Sequence, residues 1–127
     1  MKYLWDTHAW IWASLGSPRL GKAAARLGNE IASAHAIADI SLWEAAMLIE
    51  CGKVPITVSI DEWISRASES TSILPITPAI AARSAGLKWP HADPADRLIV
   101  ATAIEHKLSL VSADRAITLG GLVPIVW

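Results

Sequence analysis

Short apolar runs of strand length alternate with segments of helical periodicity along this chain, and this alternation restricts the fold more than any other feature. The apolar runs are KYLW, HAIADI, ILPI, SLVS and LVPIVW, at residues 2–5, 35–40, 73–76, 109–112 and 122–127. Strands joined through helices pair in parallel, and right-handed crossovers place the helices on both faces of the sheet. The sequence therefore predicts an α/β fold with three layers, α/β/α, around a mainly parallel central sheet.

Polar residues at the segment ends predict where the helices begin. The predicted caps are Ser17 with Pro18, Ser41 with Glu44, Ser59 with Glu62, Thr77 with Pro78, and Asp93 with Pro94. Side-chain oxygens of Ser, Thr and Asp accept the free N–H groups of a first helical turn, and a glutamate three residues later completes a capping box. Gly28 and Gly52 should close the first two of these helices. Pro124 places the last strand at an edge, because proline cannot donate to a ladder.

The composition favours one compact domain that spans residues 1–127, since 53% of the residues are hydrophobic and 18% are charged. No apolar stretch approaches the roughly 20 residues of a membrane span, and the N-terminus lacks the pattern of a secretory signal. We therefore expect a cytoplasmic protein without a membrane segment. The formal net charge of −1 excludes a strong global attraction to nucleic acid, so such binding must depend on local basic patches.

Four acidic residues stand at or beside the ends of predicted elements: Asp6, Glu44, Asp96 and Asp114. Asp6 follows the first strand, and Asp114 follows the fourth. Glu44 and Asp96 lie near the starts of helices. In a parallel sheet, the loops beyond the carboxyl ends of the strands form one crevice, where functional sites tend to lie. We therefore expect the four carboxylates to converge although they are far apart in the sequence.

Each acid also has a purely structural interpretation. Glu44 could complete a capping box with Ser41, and Asp96 could support a helix N-terminus. Asp6 and Asp114 could be ordinary turn residues. Two carboxylates about 4 Å apart, however, repel by roughly 4 kcal/mol at an effective dielectric near 20, so four that converge need a compensating cation. Oxygen ligands without a His or Cys cluster favour Mg²⁺ or Mn²⁺, and such a centre suits phosphodiester hydrolysis.

A family resemblance covers nearly the whole chain. It is carried by YLWDTHAWIW, ISLWEAAMLIECGKV, HADPADRLIVATAIEHKLSLVSAD and VPIVW. In this order, the segments resemble a PIN-domain protein, closest to the VapC-type toxin ribonucleases of bacterial toxin–antitoxin pairs. The resemblance implies a metal-dependent endoribonuclease whose acidic pocket consists of Asp6, Glu44, Asp96 and Asp114. It also implies RNA as substrate, a small antitoxin protein as partner, and a homodimer.

The resemblance also implies more detailed roles. The family often has a threonine or serine two positions before the last acid, and Ser112 occupies that place, so Ser112 joins the predicted catalytic residues. Asp6 and Asp96 would be the main metal ligands, and the other two acids would complete the site directly or through water. Ala95 departs from the family, which commonly has a bulky aromatic residue between the proline and the aspartate of this motif.

Residues beside the acids have simpler expected roles. Asp93 is predicted to be an N-cap, with metal ligation as the alternative. Arg97 is expected to form a helix ion pair with Asp93, with RNA contact as a secondary possibility. His8 and His91 are expected to form hydrogen bonds near the pocket rather than to bind a metal.

Three other classes of protein compete with the nuclease interpretation. A receiver domain usually pairs acids before a helix and carries a lysine late in the sheet, which this chain lacks. A haloacid-dehalogenase-type phosphatase needs Asp-x-Asp after the first strand, where this chain has His8 at the second position. A PIN fold that serves as a binding or scaffold module remains the principal alternative, although acids at all four positions argue against it.

Expectations about protein partners complete the sequence-based hypothesis. A homodimer should use helix faces within residues 59–67 and 79–87, with Trp63 as the anchor. An antitoxin should place an arginine on the acids, because its guanidinium binds carboxylates bidentately. Apolar side chains of that antitoxin should cover tryptophan or leucine near the first and third helical segments.

Overall fold

The computed structural model describes residues 1–127 and contains one five-stranded sheet. The strands are β1 (Tyr3–Trp5), β2 (His35–Ala38), β3 (Ser72–Leu74), β4 (Ser109–Val111) and β5 (Ile125–Val126). Their order is β3-β2-β1-β4-β5, and every pair is parallel. The prediction of a mainly parallel sheet is therefore confirmed, and β5 lies at an edge as Pro124 indicated.

Seven helices connect or follow these strands. They are α1 (Thr7–Leu15), α2 (Lys22–Arg26), α3 (Asp39–Glu50), α4 (Ile60–Ser68), α5 (Pro78–Gly86), α6 (Pro94–His106) and α7 (Arg115–Gly120). Two short 3₁₀ turns, Leu27–Asn29 and Ala32–Ala34, lead from α2 into β2. None of the helices combines the length and the hydropathy that crossing a bilayer would require.

The register of the three central strands divides the core into two halves. One row of paired residues consists of Leu4, Ala36 and Leu110, and the next row consists of Trp5, Ile37 and Val111. Successive strand residues point to opposite faces, so the first row packs with α6 and the second packs with α1, α3 and α4. Helices therefore cover both faces, which confirms the three-layer α/β/α architecture.

Several helix starts agree with the sequence. The side chains of Ser59, Thr77 and Asp93 each accept a backbone N–H in the first turn of the helix that follows. The predicted helix that begins at Ser17 and Pro18 is wrong, because α2 begins only at Lys22. The Ser17 hydroxyl instead accepts the N–H of Arg19 in a local turn, directly after Gly16 in the left-handed conformation.

The predicted capping box of Ser41 and Glu44 is also wrong. Helix α3 begins two residues earlier, at Asp39, so neither side chain is placed to cap it. Ser41 is completely buried, and its Oγ lies 2.9 Å from Oγ1 of Thr7 on α1. The Thr7 hydroxyl donates to the Glu44 carboxylate. Both residues thus contribute to the contact between α1 and α3, and only the capping role of Glu44 is excluded.

Trp63 cannot anchor a dimer, which corrects the expectation drawn from the sequence. Only 9% of its surface is exposed, and its ring packs edge-on against Trp10 with 5.6 Å between ring centroids. The Trp10 indole N–H donates to the carbonyl of Ala67 on the same helix as Trp63. Trp63 therefore fixes α4 to the core of its own chain. In contrast, Trp43 on α3 is 59% exposed.

Replacing Trp63 should test this assignment. Trp63→Ala should lower the free energy of unfolding by roughly 3 to 5 kcal/mol, because it leaves a cavity beside Trp10. Trp43→Ala is the matched control and should change it by no more than about 0.5 kcal/mol, because Trp43 lies on the surface. Urea unfolding monitored by circular dichroism measures both. Equal effects of the two substitutions would contradict the core role of Trp63.

Candidate active site

The four predicted acids line one cavity of about 340 Å³ at the carboxyl end of the sheet. Asp6 and Asp114 are the residues that precede α1 and α7, while Glu44 lies in α3. Asp96 lies in the first turn of α6. The other residues that line the cavity are Thr7, His8, Trp12, Asp93 and Ala113. The structure thus brings together four carboxylates that the sequence separates.

Asp6 and Asp114 are helix caps as well as cavity residues. The Asp6 carboxylate accepts the N–H of Ala9 at 2.8 Å, and the Asp114 carboxylate accepts the N–H of Ile117 at 3.1 Å. The interpretation of these acids as turn residues is therefore partly right, because each stabilises the helix that follows it. The cap uses one carboxylate oxygen in each case, so capping leaves the second oxygen available to the cavity.

Asp6 is the most buried of the acids, with 7% of its surface exposed. Burial raises its pKa above the ordinary value, and repulsion from Asp96 adds to this effect. Hydrogen bonds from the Ser112 side chain and from the Ala9 N–H act in the opposite direction. Ser112 itself is buried, and its hydroxyl accepts the N–H of Asp114 at 3.0 Å. Ser112 thus contacts the Asp6 side chain and the Asp114 backbone.

Burial also raises the pKa of Glu44, and repulsion from Asp96 and Asp93 contributes in the same direction. The hydrogen bond from Thr7 opposes that rise. Sequence reasoning did not select Thr7 as a site residue. The available signal was a hydroxyl residue directly after Asp6, at the first position of a helix that is otherwise rich in apolar residues.

Asp96 receives a hydrogen bond from outside the sheet. Nε2 of His91 lies 2.7 Å from Oδ2 of Asp96. Burial raises the pKa of Asp96, the hydrogen bond from His91 lowers it, and repulsion from Asp93 and Asp114 raises it. His91 therefore forms a hydrogen bond beside the pocket, as expected, and His8 lines the cavity itself.

Arg97 does not form the predicted ion pair with Asp93. The Asp93 side chain instead accepts the N–H groups of Ala95 and Asp96, as an N-cap does. The Arg97 guanidinium donates to four backbone carbonyls in the segment that precedes α6. They belong to Ser84, Leu87, Trp89 and His91, at 2.7 to 3.0 Å. Ser84 lies in the last turn of α5, and the other three residues lie in the loop between α5 and α6, so Arg97 is committed to these backbone groups.

The donors in the cavity are the type that binds hard divalent cations. Burial is the main cause of the raised pKa of Asp6, Glu44 and Asp96, and repulsion between the acids adds to it. Oxygen donors of this kind suit Mg²⁺ or Mn²⁺. No group of three or more His, Cys, Asp or Glu side chains has the arrangement of a metal site. The donor types of these residues fit such a cation, although no three of their side chains surround a common point.

Residues 3–118 match the PIN domain family. The chain belongs to this family, as its sequence motifs suggested. It is also 40% identical over 114 residues to Ribonuclease VapC22 of Mycobacterium tuberculosis (strain ATCC 25618 / H37Rv). That match covers 88% of this chain and 86% of the relative, so the predicted resemblance to VapC-type ribonucleases is confirmed.

Solved structures share the fold at lower identity. VapBC2 from Rickettsia felis, bound to a DNA fragment from its promoter, matches with a TM-score of 0.72 and 15% identity over 98% of this chain and 97% of that chain. A toxin–antitoxin complex from Klebsiella pneumoniae matches with a TM-score of 0.66 and 24% identity, and covers 89% of this chain and 87% of that chain. These likenesses confirm the α/β/α architecture.

The raised pKa of Asp6 makes stability depend on pH. The folded chain binds the proton of the Asp6 carboxyl group more tightly than the unfolded chain does. Ionised Asp6 therefore destabilises the fold at pH values above its raised pKa. Below the ordinary pKa of 3.8 this destabilisation is absent. Without divalent cations, Asp6→Asn should raise the free energy of unfolding near neutral pH, because asparagine removes the buried charge and can still accept the Ala9 N–H. The gain should disappear as pH falls toward about 4.

Urea unfolding in the presence of a chelator, at pH values near 7 and near 4, measures this difference. Asp61→Asn is the matched control, because Asp61 is an exposed aspartate on α4. The expectation fails if Asp6→Asn is destabilised at neutral pH, or if Asp61→Asn shows the same gain.

Proposed function

We propose that this chain is a metal-dependent endoribonuclease that hydrolyses phosphodiester bonds, and that it is the toxin of a toxin–antitoxin pair. The carrying observation is that Asp6, Glu44, Asp96 and Asp114, from four different elements, line one cavity. The 40% identity to a ribonuclease over most of the chain supports RNA as the substrate. Residues 1–127 would form a single PIN-like domain.

Asp6 and Asp96 would be the main ligands of Mg²⁺ or Mn²⁺, and Glu44 and Asp114 would complete the site directly or through water. When bound, such a cation lowers the pKa of an attacking water and offsets charge on the leaving oxygen. The chain itself orients three of the acids by hydrogen bonds. Ser112 reaches Asp6, Thr7 reaches Glu44, and His91 reaches Asp96. These contacts limit the rotamers of the carboxylates before any ligand arrives.

A PIN fold kept as a binding or scaffold module is the alternative. Burial raises the pKa of Asp6, Glu44 and Asp96, and repulsion from neighbouring acids adds a smaller effect. A binding module would have no need of carboxylates in such an environment. A site that costs stability without a ligand is typical of function. The cleavage experiment below distinguishes the two interpretations.

The proposed cellular setting is the cytoplasm, with RNA, an antitoxin and a second copy of the chain as partners. Structural neighbours include toxin–antitoxin complexes, which supports the antitoxin. Exposed Leu15 on α1 and exposed Trp43 and Met47 on α3 offer apolar surface to such a partner.

The homodimer would use α5 and the exposed part of α4 without Trp63. A monomeric mass by light scattering at micromolar concentration would contradict this dimer.

Asp6→Asn should abolish RNA cleavage while the chain remains folded, because it removes a main carboxylate ligand and preserves the shape of the side chain. Cleavage by the unmodified chain should require Mg²⁺ or Mn²⁺ and stop with a chelator. Gel analysis of a mixed RNA substrate, with circular dichroism of each variant, measures these effects. Asp61→Asn is the control and should cleave at the unmodified rate. A folded Asp6→Asn variant with full activity would refute the proposed mechanism.

Antitoxin binding should weaken the affinity for divalent cations, because an arginine of the partner would occupy the same carboxylate oxygens. Mn²⁺ titration of the isolated chain and of its antitoxin complex compares the two affinities. An antitoxin variant that carries glutamine in place of that arginine should restore Mn²⁺ binding. Unchanged Mn²⁺ affinity together with undiminished cleavage in a stable complex would show that the partner binds elsewhere.

A further inference from the structure

The contact between His91 and Asp96 joins a loop to the candidate active site. We propose that His91 is the positioning residue for Asp96, and that its hydrogen bond holds the carboxylate in the orientation that a divalent cation requires. This inference rests on the metal-dependent part of the proposed function. An ionised carboxylate only accepts hydrogen bonds, so His91 Nε2–H is the donor to Oδ2, at 2.7 Å. Oδ1 then remains as the oxygen available to a cation.

The backbone that carries His91 is fixed by the helix that carries Asp96. Arg97, the residue after Asp96, donates to the carbonyls of Leu87, Trp89 and His91. The first turn of α6 therefore positions both residues of the contact. Asp96 belongs to this turn, and Arg97 in the same turn binds the backbone of the loop that carries His91. Hydrogen bonds from a charged guanidinium are stronger than neutral ones, so the loop has a defined path.

The His91 ring is fixed from a second side. It packs at a tilt against the Trp89 indole, with 4.6 Å between ring centroids and an angle of 31° between the planes. The indole in turn lies against α7, where a methyl group added to Gly120 would be only 2.9 Å from Nε1 of Trp89. Trp89 thus has little freedom to move toward α7. The His91 imidazole lies between the Trp89 indole and the Asp96 carboxylate, and Arg97 binds the backbone carbonyl of His91.

A ligand that is already oriented loses less conformational entropy when it binds a cation. Hydrogen-bonded partners of metal ligands typically contribute about 10-fold to 100-fold to metal affinity. His91 meets the conditions for such a partner, because it contacts one carboxylate oxygen and lies outside the residues that line the cavity. Its removal should weaken cation binding without unfolding the chain.

Two substitutions separate the hydrogen bond from the packing of the ring. His91→Phe keeps an aromatic ring on Trp89 but cannot donate to Asp96. His91→Gln loses the ring but retains an N–H donor of similar reach. Titration of the full chain with Mn²⁺, followed by the loss of the free-ion electron paramagnetic resonance signal, gives the dissociation constant of each variant. Circular dichroism and the unfolding midpoint report whether each variant is folded.

The proposal requires that His91→Phe raise the dissociation constant for Mn²⁺ by about 10-fold to 100-fold, and that His91→Gln recover most of the lost affinity. Unchanged or tighter binding by His91→Phe would overturn it, as would equal losses in both variants, since these would indicate packing of the ring alone. If the unmodified chain binds no Mn²⁺, this inference and the metal-dependent function fail together. If it binds Mn²⁺ normally but cleaves no RNA, only the proposed function fails.

Discussion

The parallel pairing of β1 between β2 and β4 is the constraint on which the site depends. Leu4 pairs with Ala36 on one side and Leu110 on the other, so the three strands end at the same level. The ladder extends one residue further, because the Asp6 N–H donates to the carbonyl of Val111 at 3.0 Å. Asp6 therefore belongs to the sheet through its backbone and to α1 through its side chain. This double attachment fixes the most buried carboxylate of the cavity.

Helix starts help the protein tolerate so many carboxylates in one place. Asp6, Asp93 and Asp114 each accept N–H groups at the first turn of a helix, and all three line the cavity. The positive end of a helix dipole stabilises nearby negative charge by about 0.3 to 1 kcal/mol. Two carboxylates about 4 Å apart repel by roughly 4 kcal/mol, so one dipole offsets about a quarter of that repulsion or less. The helices thus reduce the repulsion without cancelling it. That incomplete balance leaves the cavity suited to a cation.

The sequence predicted the fold class and the convergence of the acids because both follow from local signals and from the geometry of parallel sheets. Caps that act within one turn, such as Ser59 and Thr77, were predicted correctly. The errors arose where tertiary contacts overrode a local motif. Ser41 matches a capping box in the sequence but is buried against Thr7, and Arg97 has a carboxylate four residues before it but binds backbone carbonyls. Partners distant in the chain cannot be read from spacing alone.

The distribution of the site along the chain has a consequence during synthesis. The acids lie at positions 6, 44, 96 and 114, and β1 acquires its second neighbour only when β4 has been made. Domains generally fold as units, and a nascent chain that has not passed residue 95 contains neither Asp96 nor Asp114 nor β4, the strand that completes the crevice. An incomplete polypeptide on the ribosome therefore carries only fragments of the acidic cavity. For the proposed ribonuclease, this order of assembly delays activity until β4 and Asp114 have been made.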